Sequence, residues 1–120
     1  MHKKDQQSLT ELQAIIQKFC EERDWDQFHN PKDLSISLAL EAAEVLEHFQ
    51  WKNADEMAEH SVENKGAIAE ELADVLYWVL LLSNKLNIDL VESFLDKMKK
   101  NEKKYPVDKA KGSHKKYTEL

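Results

Sequence analysis

The sequence predicts an all-α protein, a four-helix bundle, from two observations. The chain of 120 residues contains two glycines and two prolines, where average usage would give roughly 14. Because a β-sandwich or barrel needs many turn residues, this composition argues against one. Apolar residues also recur at spacings of three and four along successive segments. The separation of the two glycines, Gly66 and Gly112, also excludes a glycine-rich phosphate loop as a binding motif.

The first two helices are predicted from a capping pattern and two apolar stripes. Ser8 and Glu11 have the spacing of a capping box, and a stripe that begins at Leu9 extends this helix over residues 8–23. Residues 24–33 have turn-like composition. Asp33 is the predicted N-cap of the second helix, which continues to about Phe49.

The second half of the chain predicts two further long helices. A polar segment with a short helix at 55–61 precedes a third helix from 66 to 84–86, whose apolar residues cover most of its circumference. This surplus of apolar surface predicts a dimer or tetramer. Asp89 and Glu92 form a second capping pattern for a helix that ends before Pro106. We expect one domain over 1–106 and a lysine-rich, flexible tail over 107–120.

Charge and cysteine content limit the functional classes. The chain has 17 basic and 23 acidic residues, yet residues 97–116 contain nine lysines and two acids. A basic segment of this kind suggests either nucleic-acid binding or a solvated helix end. The acidic remainder would repel a polyphosphate unless metal ions intervened, so no nucleic-acid partner is expected. The lone Cys20 predicts a cytoplasmic protein. Apolar runs are too short for a membrane span, so no membrane association is expected.

Two carboxylate pairs are the strongest candidates for chemistry. Glu41 and Glu44 share one face of the second helix, and Glu71 and Asp74 share one face of the third. Asp74 lies in an otherwise apolar segment, where a carboxylate needs a partner, a metal ion or a raised pKa. Four such carboxylates would repel one another, and Mg²⁺ is the natural compensation. The adjoining Glu47 and Glu70 are expected to be exposed.

Other metal centres fit the sequence poorly. A di-iron carboxylate bundle needs Glu-x-x-His on two helices, and this chain has no such spacing. A zinc site is equally disfavoured by a single cysteine and scattered histidines. His48 and His60 are therefore expected on the surface.

Aromatic and basic side chains form a second candidate set. Trp25, Phe28 and Trp51 flank the second helix, where they either stack on a base or plug the ends of the bundle. Trp78 lies one turn beyond Asp74 and belongs to the core or to a pocket wall. A polar stripe on the fourth helix suits phosphate oxygens or a solvated face; it consists of Lys97, Asn101 and Lys104.

The carboxylate pairs, together with three segments, resemble the all-α nucleoside triphosphate pyrophosphohydrolases of the MazG-like superfamily, and within it the dCTP pyrophosphatase branch. The segments are CEERDWDQFHNPKDL (20–34), EVLEHFQWK (44–52) and KMKKNEKKYP (97–106). Cleavage between the α- and β-phosphates to a nucleoside monophosphate and pyrophosphate is the implied activity, in nucleotide-pool sanitation. The implied assembly is a dimer or tetramer with sites at subunit interfaces.

The resemblance also implies a role for each matching residue. Glu41, Glu44, Glu71 and Asp74 would bind Mg²⁺, and Glu41 or Glu44 would orient the attacking water. Trp25 and Trp51 would flank the base, with Phe28 and His29 beside it. Phosphates or sugar would contact Lys97, Asn101, Lys104 and Tyr105. Trp78 stands where dCTP-specific members carry tyrosine. A non-catalytic helical interaction module is the alternative function.

Overall fold

The computed structural model describes residues 6–120, and every regular element in that range is helical. The predicted all-α class is therefore confirmed. The chain divides into two units, one ending at Ile88 and the other comprising Asp89–Leu120. Within the described range, no helix combines the length and apolar character that a membrane crossing requires.

The first unit is organised around a central helix. Its helices are α1 (Leu9–Glu22), α2 (Pro31–Glu47), α3 (Ala54–Glu63) and α4 (Lys65–Lys85), with a short 3-10 turn at Asp26–Phe28. α4 packs against α1, α2 and α3, so the most apolar predicted helix is the central one. Leu34 and Leu80 are each 1% exposed, and Ile16, Cys20 and Leu81 complete the buried apolar core. Core packing of Cys20 matches its amphipathic sequence context.

The predicted ends of α1 are confirmed and the predicted start of α2 is wrong. Ser8 and Glu11 form the expected capping box. α2 begins earlier than predicted, because Asn30 rather than Asp33 is its N-cap, with the Asp33 amide donating to Asn30 Oδ1 at 2.9 Å. Pro31 then occupies the first helical position, where its missing N–H costs nothing and its fixed φ favours the helix.

The short helix expected at 55–61 is present and longer than predicted. α3 begins after Asn53, whose side chain accepts from the Glu56 amide while the Glu56 carboxylate accepts from the Asn53 amide. This reciprocal capping box satisfies two of the free donors at the helix start.

The second unit consists of α5 (Leu90–Lys104), the one-turn α6 (Val107–Ala110) and a 3-10 turn at Tyr117–Glu119. Asp89 caps α5 as predicted, accepting from the Glu92 amide at 3.1 Å. The expected tail therefore contains short helical turns, and the Tyr117 ring packs edge-on to that of Tyr105 at 6.1 Å. The predicted domain boundary at residue 106 and the predicted packing of α5 as the fourth member of a bundle stay predictions.

Candidate active site

A pocket of about 540 Å³ in the first unit contains both acidic and aromatic side chains. This volume lies within the range of small-molecule sites. Its lining residues come from α1, α2, α4 and the connection between the first two; they are Phe19, Trp25, His29, Glu41, Asp74, Tyr77 and Trp78. The sequence-predicted Trp25, His29 and Trp78 are thus brought together with one carboxylate from each predicted pair.

The aromatic wall of the pocket is held by edge-to-face contacts. The ring of Phe19 lies 5.5 Å from that of Trp25 and 6.4 Å from that of Tyr77, and Tyr77 lies 4.9 Å from Trp78. The Arg23 guanidinium stacks over Phe19 at 3.8 Å. Such pairs fix ring orientation as well as burying area, so each ring of the wall is held by at least one neighbouring ring.

Sequence reasoning missed Phe19 and Tyr77 as wall residues. Phe19 has the spacing of an ordinary core position on α1, and Tyr77 has no distinguishing pattern on α4. In the structure, the Tyr77 hydroxyl lies 3.7 Å from Cys20 Sγ. Burial and the neighbouring Cys20 raise the pKa of Tyr77 to about 12, while Arg23 opposes this shift. Tyr77 therefore presents a neutral phenol to the pocket across the physiological range.

Glu41 is the carboxylate most affected by its surroundings. Burial raises its pKa, and the neighbouring carboxylates of Glu44 and Asp74 raise it further, while the Trp78 side chain opposes them. Glu41 Oε2 is buried and has no hydrogen-bond partner. A buried oxygen without a partner, beside like charges, is a position where a bound cation would stabilise the ionised form.

The four carboxylates of the predicted metal site differ in exposure. Asp74 and Glu44 are exposed, whereas Glu41 and Glu71 are half-buried. Asp74 nevertheless lines the pocket together with Tyr77 and Trp78, which lie one turn along the same face of α4. Exposure of Glu47 and Glu70, predicted from sequence, is confirmed.

The predicted surface placement of two histidines is also wrong. His48 and His60 are half-buried and lie in contact, with His48 Nδ1 2.8 Å from His60 Nε2. His48 Nε2 lies 3.4 Å from Glu71 Oε1, where the two side chains are 14% and 26% exposed. The sequence signal was present in the position of His48, one turn after Glu44 on a candidate metal face, but His60 on a separate helix gave none.

The four predicted metal-binding carboxylates provide donor chemistry suited to a hard divalent cation. Oxygen ligands are what such ions prefer, and Glu41 Oε2 and Glu71 Oε2 are both buried without partners. Among residues 6–120, however, no three His, Cys, Asp or Glu side chains converge closely enough to form a ready-made cage. Mutual repulsion of carboxylates favours such a spread when no cation neutralises them. These residues therefore fit the ion chemically without being gathered around one point.

Two of the predicted base contacts do not line this pocket. Trp51 is 86% exposed and Phe28 67% exposed, and neither lines the pocket of this chain. Four other candidates lie on or next to α5 in the second unit: Lys97, Asn101, Lys104 and Tyr105. There, Lys104 Nζ lies 4.8 Å from the centre of the Tyr117 ring.

Stability is expected to fall as the pH drops below about 6.5, because His60 must then accept a proton that the folded state resists. Burial lowers its pKa, Lys52 and His48 lower it further, and Glu63 opposes them. A histidine with a lowered folded pKa contributes fully above its unfolded pKa and loses that contribution as pH falls toward the folded value. Urea midpoints at about pH 7.5 and 5.5 should differ less in His60→Gln than in the wild type. Equal differences would contradict this assignment.

Comparisons with known proteins agree on one family. Residues 36–120 match the model of the MazG-like family. The chain is 38% identical over 115 residues to human dCTP pyrophosphatase 1, covering 94% of this chain and 68% of that protein. The bovine dCTP pyrophosphatase 1 is 37% identical over the same length. Among solved structures, a pyrophosphatase from Archaeoglobus fulgidus superposes with a TM-score of 0.77 at 39% identity, covering 88% of this chain and 99% of that one.

Proposed function

This chain belongs to the MazG-like family, and we propose that it is a Mg²⁺-dependent pyrophosphohydrolase that cleaves dCTP or a modified dCTP to the monophosphate and pyrophosphate. The observation that carries the proposal is the pocket in which an aromatic wall meets Glu41 and Asp74. Similarity to dCTP pyrophosphatase 1 of several mammals supports the substrate class.

The aromatic wall is assigned to the base. Trp25 and Trp78 both line the pocket, and stacking of a base on an aromatic ring is worth about 1–3 kcal/mol. His29 lines the same pocket, and its Nδ1 is buried without a partner. A ring nitrogen in that condition suits a hydrogen bond with a polar edge of the base.

The carboxylates are assigned to the cation that accompanies the triphosphate. Glu41, Glu44, Glu71 and Asp74 would hold Mg²⁺, which when bound neutralises charge on the phosphate oxygens and on the leaving pyrophosphate. Without such compensation, a triphosphate would be repelled by these side chains. Unpartnered oxygens on Glu41 and Glu71 support this assignment.

Hydrolysis requires a water molecule aligned with the α-phosphorus. Glu41 or Glu44 accepts a proton from that water as its oxygen bonds to the α-phosphorus, and the bond from the α-phosphorus to the oxygen bridging to the β-phosphate breaks. Pyrophosphate leaves with the bonding electrons. The raised pKa of Glu41 supports a proton-accepting role, because a base performs best when its pKa approaches the working pH.

The other predicted contacts of the substrate come from α5, from the residue that follows it, and from two exposed aromatic side chains. Lys97, Asn101, Lys104 and Tyr105 would contact phosphate or sugar oxygens, since ammonium and amide donors form charge-assisted hydrogen bonds with phosphate. Trp51 and Phe28, exposed in one chain, would contact the base.

We propose a dimer or tetramer as the working assembly. Ile15, Leu72 and Leu76 are 50%, 53% and 38% exposed, and an apolar groove of about 220 Å³ lies between α1 and α4. Apolar surface of this kind on a small protein favours association with a second copy. The cytoplasmic setting inferred from the lone cysteine is part of the same proposal.

A turnover panel tests the proposed substrate. The eight common ribo- and deoxyribonucleoside triphosphates and 5-methyl-dCTP are each incubated with the enzyme and Mg²⁺, and pyrophosphate is quantified. We expect dCTP and 5-methyl-dCTP to give the highest kcat/KM, with release lost in EDTA. Absence of turnover with every nucleotide would favour the helical interaction module instead, and preference for a purine nucleotide would reject the assigned base.

A further inference from the structure

A line of polar side chains connects the end of α3 to a predicted metal-binding carboxylate on α4. Asn64 Nδ2 lies 3.0 Å from His60 Nδ1, and His60 Nε2 lies 2.8 Å from His48 Nδ1. His48 Nε2 then lies 3.4 Å from Glu71 Oε1. All four residues are half-buried, and they come from the ends or interiors of three helices.

The hydrogen bonds along this line all point in one direction. Asn64 Nδ2 also donates to the backbone carbonyl of His60 at 3.4 Å, and because a carbonyl only accepts, this contact identifies the amide nitrogen. His60 Nδ1 must therefore accept, which leaves the proton on His60 Nε2 for donation to His48 Nδ1. By the same reasoning, His48 carries its proton on Nε2, facing Glu71.

The final contact of this line, between His48 and Glu71, is longer than a full hydrogen bond. His48 Nε2 and Glu71 Oε2 are both buried without a hydrogen-bond partner, and the contact from Nε2 to Glu71 Oε1 is longer than an ordinary N–H···O bond. Hydrogen bonds in catalytic sites are often long in the ligand-free state and tighten when the ligand binds. A hydrogen bond donated to Oε1 of Glu71 would leave its Oε2 available to a cation.

We propose that His48 is a positioning residue for Glu71: its neutral imidazole donates to Oε1, fixes the carboxylate rotamer, and leaves Oε2 to a divalent cation. The inference rests on the proposed function. A neutral donor suits this task because, unlike lysine or arginine, it does not neutralise the charge that attracts the cation. Burial lowers the pKa of His60, which favours the uncharged His60 ring that this line of hydrogen bonds requires.

Substitutions at His48 separate positioning from packing. His48→Leu removes the donor while filling part of the space, and His48→Gln keeps an N–H at a similar distance from the backbone together with an acceptor for His60. Loss of a hydrogen-bonding partner of a metal ligand typically weakens metal affinity about 10- to 100-fold. We expect that loss in His48→Leu, and affinity within about threefold of wild type in His48→Gln.

Calorimetric titration of Mn²⁺ alone, without nucleotide, measures the effect directly, and urea unfolding in EDTA verifies that each variant folds. Asn64→Ala provides a second test if His48→Leu does not fold. This variant should weaken Mn²⁺ binding severalfold, since the hydrogen bond that fixes the tautomers of His60 and His48 is then lost. Wild-type affinity in a folded His48→Leu, or in Asn64→Ala where His48→Leu does not fold, would overturn the inference. An equal loss in His48→Gln and His48→Leu would do so as well.

The same titration separates this inference from the proposed function. A wild-type protein that binds Mn²⁺ and hydrolyses dCTP, with both unchanged in His48→Leu, leaves the proposed function intact and rejects the role of His48. A wild-type protein that binds no divalent cation rejects both.

Discussion

Glu41→Gln is expected to lower kcat for pyrophosphate release by about 10³-fold or more while the protein remains folded. The substitution preserves size and removes the charge on the side chain that lines the pocket with a buried, unpartnered oxygen. Losing one preorganised electrostatic contact to a transition state typically costs 10²- to 10³-fold, and losing cation binding adds to this. Steady-state assays of pyrophosphate release at saturating Mg²⁺ measure the effect.

The stability of Glu41→Gln should not fall together with its activity. Because burial and the carboxylates of Glu44 and Asp74 raise the pKa of Glu41, ionised Glu41 opposes folding, and this opposition grows as pH rises through its folded pKa. At neutral pH, the urea midpoint of Glu41→Gln should therefore equal or exceed that of the wild type. Reduced stability accompanied by a proportional loss of activity would indicate a structural role instead.

Glu47→Gln is the matched control for this variant. Glu47 lies on the same helix and is exposed, so the same chemical change is made outside the pocket. Its kcat should remain within about twofold of the wild-type value, as expected of a surface substitution. A loss comparable with that of Glu41→Gln would show that helix charge in general, and not the pocket carboxylate, controls the rate.

Leu34→Ala is expected to destabilise the protein by about 2–5 kcal/mol. Leu34 is 1% exposed and lies in the first turn of α2, the helix that carries Glu41 and packs against α4. Truncation removes the transfer free energy of the lost methyl groups and leaves a cavity that close-packed neighbours refill only in part. Urea denaturation of the metal-free protein measures the change.

Val62→Ala provides the comparison for an exposed position. Val62 is 79% exposed on α3, so its truncation should change the free energy of unfolding by no more than about 0.5 kcal/mol. Equal effects of the two substitutions would mean that α2 is not anchored through Leu34.

Most of the helical architecture could be predicted from sequence because its signals are local. Capping at Ser8 and Asp89 and the apolar periodicity located α1 and α5 to within a residue or two. The predicted start of α2 is wrong because Asn30, and not the predicted Asp33, caps the helix and Pro31 occupies its first position, for which the fixed φ of proline is suited.

The site was harder to predict because the surroundings of its side chains depend on contacts between helices that are distant in sequence. Spacing identified the carboxylate pairs, but only the fold shows that Glu41 is half-buried and Asp74 exposed. Likewise, the contact of His60 with His48 joins two helices, and no sequence period connects residues on separate elements. The Tyr77 hydroxyl also contacts Cys20 Sγ, which is distant in sequence.

Hydrolysis of dCTP in water enriched in ¹⁸O, with Mg²⁺ present and products resolved by mass spectrometry, tests the proposed reaction most directly. Attack at the α-phosphorus predicts dCMP that carries one ¹⁸O and pyrophosphate that carries none, with no product in EDTA. Formation of dCDP and phosphate, label in pyrophosphate, or no Mg²⁺-dependent turnover would contradict Mg²⁺-dependent attack of water at the α-phosphorus.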